Sequence, residues 1–120
     1  MAKTTNDLVM NAALSALEGT GVHVCSAQPT TRTEAVTTYN LATATISGVD
    51  YTQADGDSSG RKTTLAAQTG ASITTSGTAL FVATTDGTNL LDVTTCTSQA
   101  LTSGGTVDIS AFDHEIGDPT

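Results

Sequence analysis

The chain has no tryptophan, and only Tyr39, Tyr51, Phe81 and Phe112 supply aromatic rings among 120 residues. Aromatic side chains contribute the largest buried areas per residue, so a thick aromatic core is excluded. A domain of this length buries roughly 65% of its unfolded surface. Yet only 38% of the residues are hydrophobic, many of them alanine, so part of the stability is expected to come from partner subunits. Basic residues are equally scarce: Lys3, Arg32, Arg61 and Lys62 stand against twelve acidic residues, for a net charge of −8. So few cations argue against direct nucleic-acid binding, which relies on neutralising phosphates. The same charge disfavours anionic membranes and favours solubility at high local concentration. Long apolar runs are missing: the longest convincing one, residues 79–83, is far short of the ~20 residues of a spanning helix. The opening Met1-Ala2-Lys3-Thr4-Thr5-Asn6-Asp7 lacks the apolar stretch of a secretion signal, which predicts a chain made and folded in a cytosol. Cysteine is limited to Cys25 and Cys96, both in strand-like segments. They read as two reduced, partly buried thiols, with a bridge between two sheets as the alternative.

What is abundant is threonine, at 26 positions. Its β-branched side chain loses little on being extended, and its hydroxyl tolerates a wet face. Punctuated by Gly, Ser and Asp-Gly pairs, the pattern predicts a small all-β domain, a β-sandwich or jelly-roll-like barrel with one N-terminal α-helix.

Three parts are expected: a helical segment over residues 1–19, a β domain over 20–112 and an acidic tail over 113–120. Thr4 with Asp7 three positions later resembles a capping box, and Gly19 is placed to end the helix. Leu8, Val9, Met10, Ala12, Ala13, Leu14, Ala16 and Leu17 wrap most of the circumference. Asp7, Asn11, Ser15 and Glu18 fall in one stripe of roughly 80° at 100° per residue. Such a helix is expected to be covered on more than one side, by its own sheet and by another protein. The alternative is a helix plugging one end of its own barrel.

Strands are expected over residues 21–25, 36–47, 61–68, 71–75, 78–85, 90–97 and 106–112. Residues 27–32 and the acidic stretch 50–60 read as loops, and Asp86-Gly87 as a tight hairpin turn with positive φ angles. That hairpin would bring Leu80, Val82, Leu91 and Val93 together on one face.

Asp55-Gly56-Asp57-Ser58-Ser59-Gly60 matches the first half of a calcium loop, which makes Asp55, Asp57 and Ser59 a weak metal candidate. The second half fails, because Ala66 occupies the position of the bidentate Glu. Arg61-Lys62, the one basic pair in the chain, either neutralises Asp55 and Asp57 or contacts an acidic patch on a partner. Asp113-His114-Glu115 reads as a solvated tail, since no serine is marked out as a nucleophile to complete a triad. His23 alternates with Val22 and Val24, which places it on the less buried face of its strand. It has no Cys or His partner at zinc-ligand spacing. No convergent acid, base or metal set is present, so no enzyme and no cofactor are expected.

Several stretches resemble a family of small virion proteins of tailed bacteriophages. They are Asn6-Asp7-Leu8-Val9 through Leu17, Cys25-Ser26-Ala27-Gln28-Pro29, Glu34-Ala35, Thr38-Tyr39, Gly60-Arg61-Lys62-Thr63-Thr64-Leu65-Ala66-Ala67, Gly77-Thr78-Ala79 and Asp86-Gly87. Together they are spread over residues 6–87, most of the chain's length, in the family's order. The resemblance implies a structural component of the particle, in the first place a decoration (cement) protein on the outside of the head. Its partners would be the major capsid protein and neighbouring copies of itself, as a homo-oligomer or multivalent assembly. Leu8, Met10, Leu14 and Leu17 are the expected contact residues, with Arg61 and Lys62 as polar anchors. A neck, tail or fibre component is the alternative within the phage. A carbohydrate-binding or adhesive module, with Tyr39 and Tyr51 stacking on sugar rings, is the alternative outside it.

Overall fold

The computed structural model describes residues 6–116, except the side chain of Asp7. Helix α1 (Asp7–Leu17) is followed by β1 (Gly21–Cys25), a π-helical turn (Glu34–Thr38), β2 (Asn40–Thr45) and a 3-10 turn (Gly48–Asp50). Strands β3 (Tyr51–Asp55), β4 (Arg61–Leu65), β5 (Gln68–Ser72), β6 (Gly77–Thr85), β7 (Leu90–Leu101), β8 (Thr106–Ile109) and β9 (Phe112–Ile116) complete the chain. They form sheets of order β2-β1-β6-β7, β3-β4-β9 and β5-β8, with every pairing antiparallel. The architecture is a small sandwich-like all-β fold, and the barrel alternative falls because three separate sheets do not close on one another.

The main core is aliphatic, as the composition requires. Val22, Val24, Leu41, Ala42, Ile46, Tyr51, Leu65, Ile73, Ala79, Val82, Leu101 and Ile109 form one cluster that draws on all three sheets. A second, smaller cluster of Cys25, Ala35 and Ala83, bordered by Tyr39, Phe81, Leu90 and Val93, lies under the π-helical turn. The central strand β1 is therefore covered on both faces and buried at every position. That overturns the exposed placement of His23, which is 4% exposed.

Other expectations are corrected by pairings that composition does not show. Residues 51–55, read as loop, form β3 because Tyr51, Gln53 and Asp55 pair with Leu65, Thr63 and Arg61. The turn that joins them needs Gly60 at φ +73°, a conformation costly for any residue with a Cβ. Residues 113–116, read as tail, belong to β9, with Thr63 opposite His114 and Leu65 opposite Phe112. The first residues of the 36–47 stretch are helical, because the Glu34 carboxylate accepts from Thr30 N and Oγ1 at 2.9 and 2.7 Å and anchors a turn there.

The β6–β7 connection holds without a left-handed glycine. Asp86 Oδ1 accepts from Thr88 N and Asn89 N at 2.7 and 2.6 Å, which makes it an Asx-type turn. In the register of this hairpin Val82 faces Thr94 while Ala83 faces Val93, so Val82 and Val93 lie on opposite faces. Leu80 is exposed.

Candidate interaction site

Helix α1 begins at Asn6, whose Oδ1 accepts from Leu8 N at 2.8 Å. The cap expected at Thr4 lies outside the described residues. Its other end is fixed by close approach. Gly19 N donates to Tyr51 Oη at 3.1 Å, and a Cβ at Gly19 would stand 2.6 Å from the Thr85 carbonyl oxygen. Gly19 is thus required by space at the junction of helix and sheet, not by a left-handed cap, since its φ is not positive.

The helix packs across β4 and β9, and the face it turns inward is unusual. Met10 and Leu14 are 2% and 0% exposed. Beside them the polar stripe also points at the protein. Arg61 Nε donates to Asn11 Oδ1 at 3.0 Å, and Gln53 Nε2 donates to Asn11 O at 3.2 Å and to Ser15 Oγ at 3.0 Å. Thr63, fully buried, donates to a Glu18 carboxylate oxygen at 3.4 Å.

With its polar residues occupied by polar residues of the sheet, the helix presents apolar ones outward. Leu8 is 76% and Val9 59% exposed, and Ala12, Ala13 and Ala16 are exposed beside them. An apolar helix stripe normally faces the core, and here the apolar surface is wider than the contact, so that Met10 and Leu14 are buried while Leu8 and Val9 stay outside it. Of the four expected contact residues, Leu8 alone lies on the open face. Met10 and Leu14 are committed to the chain's own sheet, and Leu17 is half-buried at its margin. Projection at 100° per residue gives one continuous apolar arc running from Leu8 round to Leu14, and which part of it faces inward depends on Gln53, Thr63 and Arg61.

Arg61 and Lys62 are engaged within the molecule. Arg61 Nη1 lies 2.8 Å from Asp55 Oδ1, and Lys62 Nζ lies 2.8 Å from Asp57 Oδ1 and 3.5 Å from Asp113 Oδ2. Local neutralisation is the arrangement seen, and the Asp57 and Asp113 contacts raise the Lys62 pKa above its ordinary value. The same cations stand where a metal would need free carboxylates, and Asp57 N donates to Glu115 Oε1 at 2.8 Å. No group of three or more His, Cys, Asp or Glu able to hold a metal occurs among the described residues. Thermal melts in excess calcium and in EDTA are expected to coincide, and an upward shift of several degrees in calcium would reinstate the site at Asp55, Asp57 and Ser59.

The Asp113-His114-Glu115 run is split by strand alternation. His114 turns inward, with Nδ1 3.3 Å from Asp92 Oδ2 and its ring edge-on to Phe112 at 5.5 Å between centroids. Both cysteines are free, Cys25 in the small cluster and Cys96 against the main core on the other face of the same sheet. Burial, followed by the nearby Cys96, pushes the Cys25 thiol up to about 11. Tyr39 and Tyr51 do not form a platform, because Tyr51 is buried in the main core and Tyr39 borders the small cluster. Among the described residues no helix is long and apolar enough to cross a membrane.

The fold and this outward helix define the class, an all-β sandwich-like domain with one externally apolar helix. Comparison of the chain with protein-family models, with curated proteins and with solved structures finds no match.

Proposed function

We propose that this chain is a structural virion protein, a decoration (cement) protein that binds the outside of a tailed-phage head and stabilises the shell. The observation that carries the reading is the outward face of α1, where Leu8 and Val9 are 76% and 59% exposed on a chain with 38% hydrophobic residues. Large exposed apolar side chains grouped on one element mark a contact surface more often than scattered ones do. Its partners are the major capsid protein and neighbouring copies, and the net charge of −8 keeps free copies apart until they are docked. Each contact is small, and many copies across subunit joints gain from one another. The shell is stabilised because the expanded state alone offers the sites. The order of the segments that resemble small phage virion proteins supports the same role.

Quantitative mass spectrometry of purified particles, scaled to the major capsid protein, tests it. Decoration predicts on the order of hundreds of copies per particle, as multivalent coverage requires. A dozen or fewer would move the chain to the neck or tail, and complete absence would overturn the virion role.

A further inference from the structure

The pattern of α1 and its packing point in different directions. At roughly 100° per residue the apolar arc from Leu8 round to Leu14 has its middle between Val9 and Ala13. An amphipathic helix ordinarily packs on the middle of such an arc. The side that α1 turns to β4 and β9 is centred instead on Leu14, which is 0% exposed. Met10 is buried beside it, and Leu17, Asn11 and Glu18 are half-buried around the pair. The helix is thus rolled by roughly 120° from the direction its apolar residues alone would choose.

Apolar burial does not account for that roll. Turned onto the middle of its arc, α1 would cover Val9, Ala13, Ala16 and Leu17 in place of Met10 and Leu14, a similar set of aliphatic groups. What the observed roll supplies is polar pairing. Gln53 Nε2 shares its protons among Asn11 O at 3.2 Å, Ser15 Oγ at 3.0 Å and Glu18 Oε2 at 3.4 Å. Thr63 Oγ1 donates to the same Glu18 oxygen at 3.4 Å, and Arg61 Nε donates to Asn11 Oδ1 at 3.0 Å. Gln53 and Thr63 are direct partners across β3 and β4, and Arg61 lies two residues from Thr63 on the same face of β4. The three side chains form one polar patch under the helix. Thr63 is fully buried, so turning the stripe away would leave its hydroxyl without an acceptor and without water, which is costly.

We propose that Gln53, Thr63 and Arg61 are positioning residues that set the roll of α1 and so select which part of its apolar surface is offered to a partner. That Leu8 and Val9 are the offered face rests on the docking role proposed above, whereas the roll does not. With the patch made apolar, the stripe of Asn11, Ser15 and Glu18 loses its partners on the sheet. The helix then turns that stripe to water and buries Val9 and Ala13.

Two thiol reporters read the roll in a Cys96→Ser background, where the remaining Cys25 is 0% exposed. Ala13→Cys lies near the middle of the arc and Leu8→Cys at its edge, and both positions are exposed. Both thiols are expected to react readily with 4,4′-dithiodipyridine in this parent. Gln53→Met with Thr63→Val keeps side-chain size and removes the polar atoms. It is expected to slow the Ala13→Cys reaction about tenfold, the loss when about 90% of molecules are rolled, and to leave the Leu8→Cys rate unchanged. If this variant fails to fold, Asn11→Ala with Ser15→Ala removes two of the bonds from the helix side without weakening the helix, and the same pair of rates is read. Unchanged rates at both reporters, or an equal change at both, would overturn the positioning role. Sedimentation with shells of the variants that carry no reporter separates this from the docking role. A rolled helix that still decorates shells would remove α1 from the contact and leave the positioning role standing.

Discussion

Truncation of Leu14 to alanine is expected to cost about 3 kcal/mol of folding free energy, and the same truncation at Leu8 less than about 0.5 kcal/mol. Both are leucines in one short helix, so intrinsic helix propensity makes the same small contribution to each comparison. What differs is burial. Leu14 is 0% and Leu8 76% exposed. Removing Leu14 leaves a cavity between the helix and the sheet whose walls, including fully buried Thr63, belong to paired strands and relax only partially. A domain near this size loses roughly 10 to 20 °C of melting temperature for that change. Urea titration of the two variants, read as a midpoint shift at constant slope, measures the contrast directly. Equal effects at the two positions would mean that the helix is rotated about its axis and that the outward face is wrongly assigned.

The same helix separates what is legible in the residues from what is not. The apolar arc is wide and the polar stripe narrow, and those proportions predict an apolar side left outside the helix–sheet contact, where Leu8 and Val9 are found exposed. The inward direction is not legible, because Asn11, Ser15 and Glu18 read as a solvent face. Only the folding of Gln53, Arg61 and Thr63 onto one side of β3 and β4 gives them partners.

The strands divide on similar lines. β1, β6 and β7 carry Val, Ala and Thr and declare themselves locally. β3 and β9 carry Asp, Gln, His and Glu, and they extend only because β4 lies between them. There Arg61 faces Asp55 across one edge and Lys62 faces Glu115 across the other. Cross-strand pairing of opposite charges is worth little per pair, but it converts two acidic segments that read as loop and tail into strands. His23 is misplaced by its pattern for the complementary reason. Alternation with Val22 and Val24 is what a wet face looks like when the turn that comes back over it, Glu34–Thr38, is separated from the strand by the loop 26–33.

A double substitution, Leu8→Asp with Val9→Asp, is expected to abolish decoration of expanded shells while leaving the melting temperature within about 2 °C, in line with surface changes of under about 0.5 kcal/mol. The positions suit the experiment. They are the second and third residues after the Asn6 cap, where carboxylates interact favourably with the helix dipole, so the helix itself is not weakened. On docking, however, two carboxylates would enter an apolar contact and lose their water without a partner. That penalty exceeds the 2 kcal/mol or so that single anchor residues contribute to an interface, and multivalent binding multiplies it over every copy. General repulsion from added charge is separated by a control, Thr88→Asp with Ser103→Asp, which adds the same two charges at exposed positions on loops away from α1. Sedimentation of shells with each protein, followed by quantitation of the bound chain, should give near-wild-type occupancy for the control and none for the helix variant. Full occupancy by the helix variant would remove α1 from the contact. Loss of binding by both variants would make net charge the determinant, and the outward face of the helix would then need another explanation.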